Sequence, residues 1–85
     1  MPFALLVKPQ AQKSINKLSV KDRGRVLSAL EAIQADPYSG KKLHGQRMDE
    51  YSARVWPYRL VYKIYKEKLV VVVVEFDHRQ GVYGK

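Results

Sequence analysis

The sequence predicts an α+β domain: a small antiparallel β-sheet with an N-terminal helix hairpin packed on one face, in the order β-α-α-β-β-β. Three observations lead there. Two helical stripes follow a short apolar run near the N-terminus. Asp36-Pro37 then halts the helical pattern, and the second half of the chain is built from β-branched and aromatic runs separated by short turns. With 85 residues the chain has room for one core, so residues 1–85 form a single domain.

Phe3 to Val7 is the first strand, ended by Lys8 and Pro9. Proline suits the first turn of a helix, where its missing N–H has no intrahelical partner to lose. Ala11, Ile15 and Leu18 fall at i, i+4 and i+7 and form one apolar stripe, with Lys13 and Lys17 outside it, so the first helix runs to about Leu18. Ser19 followed by Asp22 is a weak capping box, and Val26, Leu27, Leu30 and Ile33 supply the stripe of a second helix from about Val20 to Ala35. A polar loop from Tyr38 to Gln46 comes next. Strands are expected at Tyr51–Val55, Tyr58–Tyr65 and Leu69–Phe76, joined by turns at Trp56-Pro57 and Lys66-Glu67-Lys68.

The five valines from Val70 to Val74 are apolar at both parities, the pattern of an interior strand covered on both faces. The helix hairpin covers one of those faces. The other is left to loops, to the end of the chain or to a partner protein.

Composition narrows the function. The net charge is +8, from 16 Lys and Arg against eight Asp and Glu, and the excess is spread over both halves of the chain. Such a field attracts nucleic acid through counterion release. With 46% apolar residues and nine aromatics, the chain can fold despite that charge. It has no cysteine, which excludes disulfides, thiolate metal sites and a thiol nucleophile, and no stretch approaches the ~20 apolar residues of a membrane span. The N-terminal run lacks a basic leader, so a cytoplasmic protein with no membrane association is expected.

Alternation places Arg59, Val61, Lys63 and Tyr65 on one face of the Tyr58–Tyr65 strand, with Tyr58, Leu60, Tyr62 and Ile64 on the core face. Arg54 on the preceding strand shares the face of Arg59, and Arg79 and Tyr83 arrive from the end of the last strand. Three guanidiniums converging there suit a phosphate, which arginine grips through bidentate hydrogen bonds. The chain has no carboxylate cluster and only two histidines, so no metal or other cofactor is expected. RNA brings its own nucleophile, the 2′-OH. Cleavage then requires a proton acceptor, a proton donor for the leaving 5′ oxygen and cations around the phosphate. His78 is the imidazole nearest these residues and a candidate for proton transfer, and Tyr83 is suited to base stacking or to proton transfer. Lys41, Lys42 and His44 in the polar loop are candidate contacts to ribosomal RNA, and Lys63 adds a cation beside Arg59.

At these residues the chain resembles the toxins of the RelE/ParE superfamily. RVWPYRLVY at 54–62, the apolar strand after it and HRQGVY at 78–83 are similar to that family's RVGDYRVVY, hydrophobic strand and closing HR and VY. KKLHGQ at 41–46 resembles its K-L-x-G loop. The order of elements agrees, so the likeness covers nearly the whole chain. It implies a toxin of a type II toxin–antitoxin system, held inactive in a heteromeric complex by a cognate antitoxin wrapped over the sheet. Released, RelE-like members cut messenger RNA in the decoding site of the ribosome without a metal. By the same resemblance Arg59 stabilises the phosphate, Arg79 binds phosphate or transfers a proton, and Tyr83 stacks on a base or transfers a proton, while Arg54 matches the arginine of RVG. Ser52 stands where many active members carry Lys or Arg, which shifts proton transfer towards His78 or His44. The alternatives are a ParE-like inhibitor of DNA gyrase that cuts nothing, and an inactive relative.

Overall fold

The computed structural model describes residues 3–45 and 49–78. Its elements are β1 (Ala4–Val7), α1 (Pro9–Asn16), α2 (Val20–Ala35), a 3-10 turn (Pro37–Ser39), β2 (Lys41–Lys42), β3 (Glu50–Val55), β4 (Tyr58–Tyr65), a second 3-10 turn (Lys66–Lys68) and β5 (Val70–His78). The five strands form one sheet in the order β1-β5-β4-β3-β2. It is antiparallel except for the β1–β5 pair, which is parallel in the register Ala4↔Val70 to Val7↔Val73. Parallel neighbours need a long connection, and both helices and three strands intervene between β1 and β5.

The helix hairpin forms for the reasons legible in the sequence. Pro9 opens α1, which buries Ala11 and Ile15 and ends at Asn16, two residues before Leu18. The joint to α2 is closed by the Arg23 guanidinium, which donates to the carbonyls of Asn16 (3.2 Å) and Leu18 (3.4 Å). The Ser19 hydroxyl caps α2 by accepting the Asp22 N–H at 3.1 Å, a contact worth ~1 kcal/mol. Val26, Leu30 and Ile33 form the buried stripe of α2. Leu27, expected in that stripe, is 53% exposed, because it follows Val26 by one residue and is rotated about 100° away from it.

Beneath the helices lie Val55, Leu60, Tyr62, Val71 and Val73. Leu60, Val71 and Val73 have no exposed surface, and each such side chain contributes ~1.5–3 kcal/mol on burial. Tyr58 and Tyr62 are core aromatics, as alternation predicts. Phe3, Tyr38, Tyr51 and Tyr62 form a relay of ring contacts with centroids 6.3, 6.0 and 5.9 Å apart, which ties the start of the chain to the sheet.

Two departures from the sequence reading shape the site. The first is β2, expected as loop, which pairs Lys41 with Ser52 and Lys42 with Tyr51. The second is a register shift between Val61 and Tyr62: Val61 pairs with Glu75 while Tyr62 pairs with Val73, leaving Val74 as the extra residue of a β-bulge. The bulge reverses the parity of β5. Val71 and Val73 face the core before it, Phe76 and His78 after it, so Val70 to Val74 do not behave as one uniform strand. Val70 and Val72 are half-buried, because they lie on the side the helices leave open.

Candidate nucleic-acid interface

Directly paired residues of a sheet share a face, so the register displays the open side as rows running across the strands. One row is Arg54, Arg59 and Asp77, a second is Lys41, Ser52, Val61 and Glu75, and a third is Glu50, Lys63, Val72 and Leu6. Arg54 and Arg59 are direct cross-strand partners. Like charges in that position oppose folding, so nothing in the sheet's own stability favours the pair. Among the described residues neither guanidinium forms an ion pair within 4.0 Å, although Asp77 is the direct partner of Arg59 on β5. Two adjacent guanidiniums on one face are suited to holding a phosphate.

A cleft of about 660 Å³ runs along the edge of β3, where, among the described residues, the two-residue β2 leaves Ala53 to Val55 unpaired on that side. Arg54, Arg59, Ser52 and Lys41 line it, with Ala29 and Ala32 of α2 on its other wall. The small side chains of those two alanines keep the cleft open. Lys63, farther along the same face, holds its ammonium 5.9 Å from the centroid of the Tyr65 ring. Val61 lies between Ser52 and Glu75 on this face and is fully buried, an apolar position within a charged surface.

The remaining candidates are distributed differently. Lys42 alternates with Lys41 and lines a separate cavity with Tyr38 and Tyr51. His44 is exposed in the segment after β2 and does not line the cleft. His78 pairs with Tyr58, lies edge-on to its ring at 5.2 Å, and so sits on the helix side of the sheet. The bulge at Val74 therefore separates His78 from Arg59, which corrects the grouping of the two in one site. Arg79 and Tyr83 lie outside the described residues.

Around His78 is a second polar cluster. The Tyr58 hydroxyl donates to Asp22 at 2.9 Å, and that hydrogen bond, followed by burial, raises the tyrosine pKa above its ordinary 10.0. Arg25 pairs with Asp22 at 3.5 Å and donates to the Trp56 carbonyl at 2.6 Å, tying α2 to the turn that carries the cis Trp56-Pro57 bond. The Trp56 side chain is 53% exposed. Among the described residues no three His, Asp or Glu side chains gather as a metal-ligating group.

The adjacency of Lys41 and Ser52 was absent from the sequence reading. Its one trace is the pair of exposed lysines immediately after Gly40, too short a run to announce a strand.

Residues 5–83 match the family described as the ParE toxin of type II toxin–antitoxin system, parDE. The chain belongs to the RelE/ParE superfamily of toxins. Toxin RelG of Mycobacterium tuberculosis is 31% identical in an alignment of 87 positions that covers the whole of both chains. The toxin–antitoxin complex RelBE2 of the same organism aligns with a TM-score of 0.82 at 30% identity, over 93% of each chain. The isolated RelE toxin of E. coli aligns with a TM-score of 0.78 at 30% identity, over 96% of this chain and 92% of that one. In this RelE/ParE toxin Arg54 and Arg59 lie on the sheet face opposite the helices, the shared face that strand alternation predicts for them. Among the described residues no helix is long and apolar enough to cross a membrane.

Proposed function

We propose that this toxin is a metal-independent, ribosome-dependent endoribonuclease that cuts messenger RNA and thereby arrests translation in the cytoplasm. The observation that carries the reading is the Arg54–Arg59 pair, two like charges held directly opposite each other and, among the described residues, in no ion pair within 4.0 Å. An anionic ligand is the simplest physical reason for keeping that pair. In the reaction, the 2′-OH of one nucleotide attacks the adjacent phosphorus as its proton passes to a base. The P–O5′ bond breaks, and the 5′ oxygen takes a proton, leaving a 2′,3′-cyclic phosphate and a 5′-hydroxyl. Arg59 and Arg54 stabilise the charge that develops on the non-bridging oxygens, where one fixed donor is worth about 10²–10³ in rate. Arg79 adds a phosphate contact or transfers a proton, and Tyr83 stacks on a base or transfers a proton. Lys63, Lys42 and His44 contact RNA outside the reacting phosphate. No proton-transfer role is proposed for His78, since it faces the other side of the sheet.

The partners are a cognate antitoxin and the translating ribosome with its message. The RelBE2 alignment, a toxin–antitoxin complex, supports the first. Ser52, in place of the cation many nucleolytic members carry, favours a second reading, a ParE-like toxin that inhibits DNA gyrase. Primer extension on a defined message in a purified translation reaction separates the two. Cuts confined to the codon in the decoding site establish the nuclease; an intact message alongside growth arrest by the same protein moves the target to gyrase.

A further inference from the structure

We infer that Lys41 on β2 completes the phosphate seat of the open face, placing its ammonium over the short side chain of Ser52 beside Arg54 and Arg59. The inference rests on the nuclease reading for its biological setting, and on the sheet register for its geometry.

Lys41 and Ser52 are direct partners across the β2–β3 ladder, so their side chains leave the sheet on the same side. In an antiparallel pair the next residue but one on the facing strand lies ~7–8 Å away diagonally, within reach of a long side chain. For Lys41 that residue is Arg54, and Arg54 is in turn the direct partner of Arg59. All three line the same cleft with Ser52. A serine has too little bulk to hold a lysine stem away from the arginines, so Ser52 leaves room for the ammonium to come in from the neighbouring strand.

The strand that carries Lys41 is built to stay in this register. Two exposed lysines bury almost nothing, so β2 gains little from its own side chains. It is held at both ends instead. Beyond it, the Leu43 N–H donates to the Glu50 carbonyl at 2.9 Å. Before it, Gly40 passes so close to β3 and β4 that an added Cβ would lie 2.9 Å from the Ser52 carbonyl and collide with the Tyr62 hydroxyl. That hydroxyl donates to the Pro37 carbonyl at 2.6 Å, pinning the turn that leads into β2. Gly40 and Tyr62 are therefore positioning residues for Lys41. An edge lysine also discourages strand pairing between molecules, and that role alone would leave oligonucleotide affinity untouched when the lysine is removed.

The test uses the full-length toxin and a trinucleotide carrying 2′-O-methyl groups, which binds but cannot be cut. Affinity is measured from low to physiological salt for the wild type, Lys41→Ala, and Lys41→Ala combined with Ser52→Lys, with thermal melting and light scattering as controls. Losing one phosphate contact should lower affinity roughly 5–10-fold at low salt and flatten the log–log salt slope by about 0.7. Melting and scattering should stay unchanged, and the double variant, which moves the ammonium one strand inward, should regain most of the affinity. Unchanged affinity and slope in Lys41→Ala would overturn the inference. So would a folded double variant that regains nothing, or a wild type that does not bind the trinucleotide. A toxin that binds in this Lys41-dependent way yet leaves ribosome-bound message intact refutes the nuclease reading and keeps the seat. Cleavage by a toxin whose binding ignores Lys41 does the reverse.

Discussion

The two faces of the sheet are made from alternate residues of the same strands, yet they answer to opposite physics. On the helix side, Leu60, Tyr62, Val71 and Val73 are sealed under Val26, Leu30 and Ile33, and the polar atoms that reach inward find partners, as the Tyr62 hydroxyl does at Pro37. On the open side, Arg54 stands against Arg59, Lys41 stands one row away, and Val70 and Val72 are only half-buried. The first face has been selected for burial and satisfied hydrogen bonds. The second places like charges where a sheet optimised for stability would not, which is why the proposed RNA-binding surface is assigned to it. A residue's contribution to stability and its contribution to function should therefore separate by face.

The contrast can be broken most severely from the core side. Leu60→Ala should cost ~2–5 kcal/mol, a large fraction of what a domain of this size has, while leaving the open-face charges in place. Urea unfolding measures the loss, and a cost under ~1 kcal/mol would show that the core is less tightly packed than its burial indicates. From the open side, Arg59→Ala should leave the unfolding midpoint nearly unchanged and lower ribosome-dependent cleavage by about 10²–10³. Loss of stability matching the loss of activity would place Arg59 in the structure rather than the site.

Gly40→Ala sits where the two faces meet. Crowding against Tyr62 and Ser52 should cost ~1–3 kcal/mol and weaken trinucleotide binding together, since the same shift displaces Lys41. Equal binding by wild type and variant would show that β2 keeps its register without the close approach of Gly40.

A smaller effect of opposite sign is expected at Arg54. Replacing it with Ala removes a directly opposed like charge and should raise stability by ~0.2–1 kcal/mol at low salt, even as RNA binding falls. Equilibrium unfolding at two ionic strengths reads this, and a variant less stable at both would mean that another contact compensates the repulsion.

The mildest prediction concerns alkaline pH. Burial raises the Tyr62 pKa above 10.0, opposed by the hydrogen bond from the Gly40 backbone, and the hydrogen bond to Asp22 raises that of Tyr58. Both groups hold their protons more tightly folded than unfolded. Their contribution is fully present below pH 10 and is lost as the pH rises through the folded values. The urea midpoint should fall above that pH, and the fall should be shallower in Tyr62→Phe; an identical decline would assign it to other groups.

Much of this was written in local residues. The Ser19 cap, Pro9 at the start of α1, the stop at Asp36-Pro37 and the Val26, Leu30, Ile33 stripe are each decided within a turn or two of chain, and all are found where the pattern puts them. Alternation along β4 correctly sorted Arg59 from Tyr58 and Tyr62. What escaped had no local signature. Leu27 is apolar but exposed, and nothing in five consecutive valines shows that Val74 is the extra residue.

By itself, the sequence determined the order of every helix and strand except β2, the helix boundaries to within two residues, the basic charge and the family. Those follow from capping, proline geometry and periodicity, which act over a few neighbouring residues. The tertiary structure alone decided that β1 joins β5 in parallel, that the Val74 bulge turns His78 away from Arg59, and that β2 brings Lys41 beside Ser52. Each is a matter of register between segments distant in the chain, and register is set by how whole strands bury their faces together.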